Sequence, residues 1–231
     1  MASTTCEIVV NVTDNQPPVV TCPTDQTVTT SSNGSGDCTG AYTIGDPLSD
    51  NCPGATWGYS ASGATTIAAV TGIADGTGSG ALTLNLGIST IQLSAVDMSS
   101  NPAATCTFTV TVRDNEAPGI TAGCPGAQII GLNTSCEATM PNYVPGLTLS
   151  DNCSAPANIS VTQSPMAGST ISGPTPVTVT LTPQDEAGNE GTPCTFTITG
   201  QAPDINLQGN GVDIVSGDND FFFGNVFDFA F

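Results

Sequence analysis

The sequence predicts an all-β protein built of two sandwiches in tandem, and three observations predict it. Short runs rich in Val, Thr and Ile alternate apolar with polar residues, as in IQLSAVD at 91–97 and CTFTVTVRD at 106–114. That alternation is the period of a half-buried strand. Clusters of Gly, Pro, Asn and Asp separate the runs about every 8–12 residues, the turn spacing of a β-sandwich. The same order of punctuation then occurs twice along the chain.

Body one opens with CPTDQTVTT at 22–30, passes a Gly-rich turn and Cys38, and reaches SDNC at 49–52. Residues 65–87, TTIAAVTGIADGTGSGALTLNLG, read as an enlarged hairpin. The strand at 91–97, a turn SSNPAA and the closing strand at 105–118, TCTFTVTVRDNEAP, complete it. Body two runs CPGAQIIG at 124–131, NTSC at 133–136, SDNC at 150–153 and ISVTQSP at 159–165. It ends with PVTVTLTPQDEAGNEGTPC at 176–194 and a closing strand PCTFTITGQAP at 193–203.

A third copy of the closing phrase, TCEIVVNVTDNQPP, stands at 5–18 and closes no body within this sequence. A lone strand cannot bury its apolar face or pair its backbone. It is expected to complete a neighbouring domain, of a longer chain or of another molecule. The resulting division is 1–16 (orphan closing strand), 17–115 (domain 1), 116–202 (domain 2) and 203–231 (partial third β domain or assembly strand). Six of the eight phenylalanines fall in the last eleven positions, among them Phe221, Phe223, Phe227 and Phe229. With Cys6 they are the candidate assembly residues, since an exposed apolar edge invites strand addition from a second molecule.

Charge narrows the function classes. The chain has 20 acidic residues, one Arg and neither Lys nor His, for a net charge of −19. Phosphate recognition needs Lys and Arg, so nucleic acid is not an expected partner. An anionic membrane is not one either. No apolar run is long enough to insert in a bilayer. Without His there is no Ser-His-Asp or Cys-His arrangement, and without Lys no Schiff base or P-loop. The chain is therefore read as non-enzymatic. A large acidic excess favours Ca2+, which takes carboxylate and carbonyl oxygens. Nine cysteines without a histidine argue against Cys/His zinc sites and for disulfides in an extracellular or cell-surface setting.

The ordered set of CP, DNC, VTQSP, D-x-x-G-N and C-T-F-T-V-T-V-x-D-N-x-x-P resembles the HYR (hyalin repeat) family of immunoglobulin-like modules. The resemblance covers about residues 5–200 and is closest in body two; body one has DMSSNP in its late turn, without the usual Gly. It implies tandem immunoglobulin-like β-sandwiches in extracellular proteins, acting in adhesion or as spacers. In such a sandwich the last strand leads towards the next domain, whose B–C and F–G loops face the junction. Two candidate Ca2+ sites follow: Asp14, Asn15, Asp50 and Asp97 at the first junction, and Asp114, Asn115, Glu116, Asp151 and Asp185 at the second. Ordinary Asx turns are the alternative use of these residues.

First and last strands run parallel in such sandwiches, which favours Cys22–Cys106 and Cys124–Cys194. Cys38–Cys52 and Cys136–Cys153 are left by exclusion, although an intervening strand should hold those cysteines apart. Five N-x-S/T sequons, at Asn11, Asn33, Asn133, Asn152 and Asn158, are glycosylation candidates. Trp57 is expected in the core rather than on a sugar-stacking platform. The expected function is a structural subunit or segment of an extracellular filament, joined head to tail with itself or with neighbouring modules. The alternatives are a fragment of a long adhesin binding carbohydrate or protein, and a noncatalytic module of a secreted enzyme.

Overall fold

A computed structural model describes residues 5–31, 36–103, 105–203, 207–209 and 212–214. Asn33, Phe221, Phe223, Phe227 and Phe229 lie outside them. The regular structure of the described residues is almost entirely strand; its only helical turns are short 3-10 segments at Val144–Gly146 and Pro156–Asn158. Among the described residues no helix is long and apolar enough to cross a membrane. Two compact units form: Met1–Pro118 with Ser150–Asn158 and Asp185–Asn189, and Gly119–Leu149 with Ile159–Gln184 and Glu190–Phe231.

The first unit holds β1 (Val19–Val20), β2 (Gln26–Thr29), β3 (Thr39–Thr43), β4 (Leu48–Ser49), β5 (Thr56–Gly63), β6 (Ile67–Ala74), β7 (Ala81–Asn85), β8 (Gly87–Val96) and β9 (Cys106–Arg113). Five strands make one sheet in the order β2-β9-β8-β5-β6, while β3 pairs with β7 and β1 with β4. The first strand of that sheet, β2, runs parallel to the last, β9. The inward residues of β8 and β9, namely Ile91, Leu93, Phe108, Val110 and Val112, meet Leu82 and Leu84 of β7 and Trp57 and Tyr59 of β5 in one core. Trp57 is buried, with its Nε1 donating to the Thr77 carbonyl at 3.0 Å.

Residues 65–87 do not form the expected hairpin. β6 pairs with β5, and β7 crosses to β3. The turn between them is pinned at the crossing: Gly76 N–H donates to Asp46 Oδ2 at 2.7 Å and Ile44 N–H to Ser79 Oγ at 3.0 Å. β7 alternates and faces the core, whereas β6 is an irregular edge strand. The β5–β6 ladder shifts register on both sides of Tyr59. Gly58 lies at this irregularity, where a Cβ would overlap the Val70 carbonyl oxygen.

The second unit repeats the plan. It holds β10 (Gly119–Ala122), β11 (Gln128–Gly131), β12 (Glu137–Thr139), β13 (Thr148–Ser150), β14 (Ser160–Ser164), β15 (Thr170–Ser172), β16 (Val177–Gln184) and β17 (Cys194–Gln201). Its sheet order is β11-β17-β16-β14, with β12 on β15 and β10 on β13, and β11 is parallel to β17. Each strand has its counterpart in the first unit except the added β6. Met140, Ile171, Val179, Leu181, Phe196 and Ile198 form the core, and Tyr143 packs edge-on to Phe196. A parallel first–last pair, a central antiparallel hairpin and a facing strand pair around one core define immunoglobulin-like sandwiches. Beyond them β18 (Leu207–Gly209) pairs with β19 (Val212–Ile214).

Disulfides join Cys22 to Cys106 and Cys124 to Cys194, tying the approach to each first strand to the start of the last. The other pairing differs from expectation. Cys38 bonds Cys153, with Cα atoms 4.8 Å apart. Neither Cys38–Cys52 nor Cys136–Cys153 forms, and Cys6, Cys52 and Cys136 are free thiols. The physical reason is that residues 150–158 fold with the first unit, bringing Cys153 to Cys38.

Candidate metal centres

Two acidic clusters lie in the first unit, each built from three separate segments. In the first, Asp14 precedes β1, Asp50 follows β4 and Asp97 follows β8. In the second, Asp114 follows β9, Asp151 follows β13 and Asp185 follows β16. Within each trio, ligand oxygens lie within 4.8 Å of one another. Two oxygens sharing a Ca2+ ion at about 2.4 Å cannot be farther apart than about 4.8 Å, so the spacing is compatible with one ion.

The two clusters share their hydrogen bonding. Asp97 accepts from the Asn101 backbone N–H and from Asn101 Nδ2, both at 2.7 Å. Asp185 accepts from the Asn189 backbone N–H at 2.7 Å and from Asn189 Nδ2 at 2.8 Å. The same asparagine nitrogens reach the backbone carbonyls of Asp14 and Asp114, at 3.3 and 3.5 Å. Each asparagine thus fixes the turn that follows the strand and aims its aspartate inward. Asp151 Oδ2 accepts from the N–H groups of Cys153 and Ser154, at 2.9 and 2.7 Å.

Several oxygens remain without such a partner. Both carboxylate oxygens of Asp50, Asp151 Oδ1 and Asn152 Oδ1 are buried and accept no hydrogen bond. An unpaired buried carboxylate is strongly unfavourable, and one arginine in the whole chain cannot neutralise two clusters. A divalent cation meets this need, and the all-oxygen donor set suits Ca2+ rather than zinc.

The electrostatics of the two clusters differ. Burial raises the Asp114 carboxyl, and the charges of Asp151 and Asp185 add to the rise, although Glu116 N–H and Thr30 oppose it. Burial also acts upward on Asp97, but hydrogen bonds led by Asn101 outweigh it and hold Asp97 below the usual carboxylate range. A hydrogen bond to Asp14, burial and the charges of Asp14, Asp50 and Asp97 push the Cys52 thiol up.

Of the residues expected at these sites, the six aspartates converge. Asn15 and Asn115 are exposed. Glu116 stands beside the second cluster, its Oε1 accepting from Asn152 Nδ2 at 3.0 Å. Asn101 and Asn189 escaped the sequence reading, and Asn152 was read there only as a glycosylation candidate. The first two were detectable as a repeated D-x-x-x-N after the penultimate strand. Asn152 also donates to the Asp37 carbonyl at 3.3 Å; a glycan on that nitrogen would break both contacts, so this sequon is not a free acceptor. Asn11, Asn133 and Asn158 are exposed.

No protein-family model and no curated protein matches the sequence. Among solved structures, Drosophila N-cadherin EC1-4 is similar at 13% identity and TM-score 0.41, over 80% of this chain and 50% of that one. The chain thus spans half the length of that fragment. The titin I-band fragment I67-I69 overlaps at 10% identity and TM-score 0.36, over 84% of this chain and 69% of that one. The fibronectin(III)-like modules of Clostridium thermocellum CbhA overlap at 13% identity and TM-score 0.28, over 80% and 94%. The immunoglobulin-like assignment rests on the strand order above, not on these overlaps.

Proposed function

We propose that the chain is a structural segment of an extracellular or cell-surface array of HYR-like modules, stiffened by Ca2+ at the two aspartate trios. The observation that carries this reading is the recurrence of one site: the same three positions, the same asparagine brace and buried carboxylate oxygens without a partner. In each case the first aspartate follows a closing-strand sequence, and the other two sit on loops of the repeat that comes after it. A cation held by all three would lock the exit of one module onto the entry of the next. Head-to-tail growth is part of the reading, because residues 6–13 present Ile8, Val10 and Val12 to solvent in the pattern that a neighbouring sheet would bury. Burial of Trp57 disfavours the sugar-binding alternative at that position.

Isothermal titration of Ca2+ into EDTA-treated protein tests the reading. Two saturable sites are expected in the parent chain, and one in each of the variants Asp50→Asn and Asp151→Asn. Absence of saturable binding would remove the metal, and two sites retained in both variants would relocate it.

A further inference from the structure

The two aspartate trios differ in how one of their loops is tied. Cys153 stands two residues after Asp151, and its bond to Cys38 spans a separation of 115 residues. The corresponding Cys52, two residues after Asp50, is a free thiol. Residues 150–158 belong to the first unit, although the strands on either side, β13 and β14, pair with β10 and β16. The stretch that the bond anchors also orients Asp151, whose Oδ2 accepts from the N–H groups of Cys153 and Ser154. A second stitch lies beside the bond, where Asn152 Nδ2 donates to the carbonyl of Asp37 at 3.3 Å. Asp151 Oδ1 is buried and accepts no hydrogen bond. The other two aspartates have anchors of their own. Asp114 Oδ1 accepts from Thr30 Oγ1 at 3.2 Å, and Asp185 is braced by Asn189. The disulfide therefore acts on one ligand of the three.

We infer that Cys38 and Cys153 are positioning residues for Asp151: their disulfide holds the second trio assembled for a divalent cation, and its loss weakens binding there and not at the first trio. Without the bond the cation itself must order the loop that carries Asp151, and that entropic cost lowers the affinity. Groups that orient a metal ligand typically change affinity about 10–100-fold. Linkage makes the effect reciprocal, so a cation held at the second trio opposes reduction of Cys38–Cys153 by the same factor. That reduction consumes two small-molecule thiols, which leave as one disulfide while both protein sulfurs become thiols. The inference rests on the metal reading of the trios.

The test uses the full chain with one trio disabled at a time: Asp50→Asn leaves the second, and Asp151→Asn leaves the first. Cys38→Ser and Cys153→Ser are introduced together, so that no odd thiol is created. Isothermal titration with Ca2+ should show binding about 10–100-fold weaker at the second trio and unchanged at the first. Unchanged binding at the first trio, with Cys22–Cys106 and Cys124–Cys194 still bonded, reports that the variant is folded. A second measurement keeps every cysteine. The Asp50→Asn protein is equilibrated in glutathione buffers with and without Ca2+, and each bond is scored by differential alkylation and mass spectrometry. Ca2+ should protect Cys38–Cys153 by the factor seen in the titration, and the protection should vanish in Asp151→Asn. Equal affinity at the second trio with and without the bond overturns the inference. So does an equal loss at both trios, or protection that survives Asp151→Asn. Absence of saturable binding in the parent chain removes the metal itself, whereas binding that ignores the bond leaves the metal and sinks only the positioning role.

Discussion

Residues 6–13 and β9 carry one pattern and meet opposite fates. In β9 the inward positions Phe108, Val110 and Val112 are 3%, 0% and 2% exposed, whereas their counterparts Ile8, Val10 and Val12 are 83%, 76% and 92% exposed. Both segments begin with cysteine and lead towards an aspartate of a trio. The difference is partnership. β9 has β8 antiparallel on one side and β2 parallel on the other, and its cysteine is bonded to Cys22. Residues 6–13 lie in no strand pair, and Cys6 is free. Alternation records a capacity to be buried. Burial itself belongs to the neighbour.

The largest effect that would sharpen this contrast lies in the cysteines. Cys22→Ser opens a closure of 84 residues, and should lower stability of the first unit by about 4–5 kcal/mol on the loop-entropy account. Cys6→Ser should leave the denaturation midpoint of the monomer in place. Phe108→Ala should cost about 3–5 kcal/mol in guanidinium unfolding, while Ile8→Ala stays within about 0.5 kcal/mol. If Ile8→Ala costs as much as Phe108→Ala, the segment has a partner in solution and the contrast fails.

Metal should narrow a second gap, between the two trios and the rest of the fold. Ca2+ at about a hundred times its dissociation constant should add about 2.7 kcal/mol per occupied site. Asp97→Asn should remove the first contribution and Asp185→Asn the second, read as the loss of half the Ca2+-induced rise in melting temperature.

The smallest effect concerns β9 alone. Asp25 Oδ1 accepts from the Thr109 N–H at 2.7 Å, and that bond holds its carboxyl below the usual range. A carboxyl lowered in the folded state stabilises above its unfolded pKa, near pH 4, and loses that contribution as pH falls through the folded value. Asp25→Asn should therefore flatten the acid side of the unfolding profile below about pH 4. An unchanged slope would show that the hydrogen bond does not couple to folding.

Much of this architecture was legible because it is local. The alternation of β8 and β9, and the repeated SDNC, followed from period and punctuation. The aspartates of both trios could be named because each occupies a repeated turn. What escaped depends on which distant segments meet. β6 and β7 look like one hairpin when read along the chain, and only the crossing pinned by Asp46 and Ser79 separates them. The pairing of Cys38 failed by exclusion because exclusion assumed that each bond stays inside its own repeat. Asn101 and Asn189 were hidden among many turn asparagines, since a brace is recognised by what it holds.

Parallel pairing of β2 with β9 has a consequence when the chain is pulled. Force applied along parallel first and last strands shears their hydrogen bonds together instead of unzipping them one after another. Should the ladder give way, tension passes through Cys22–Cys106 and skips the 84 residues that separate them. At about 3.4 Å per residue, roughly 290 Å of slack is withheld from the first unit. Under such a load the Cys22–Cys106 bond would hold the first unit near its folded length.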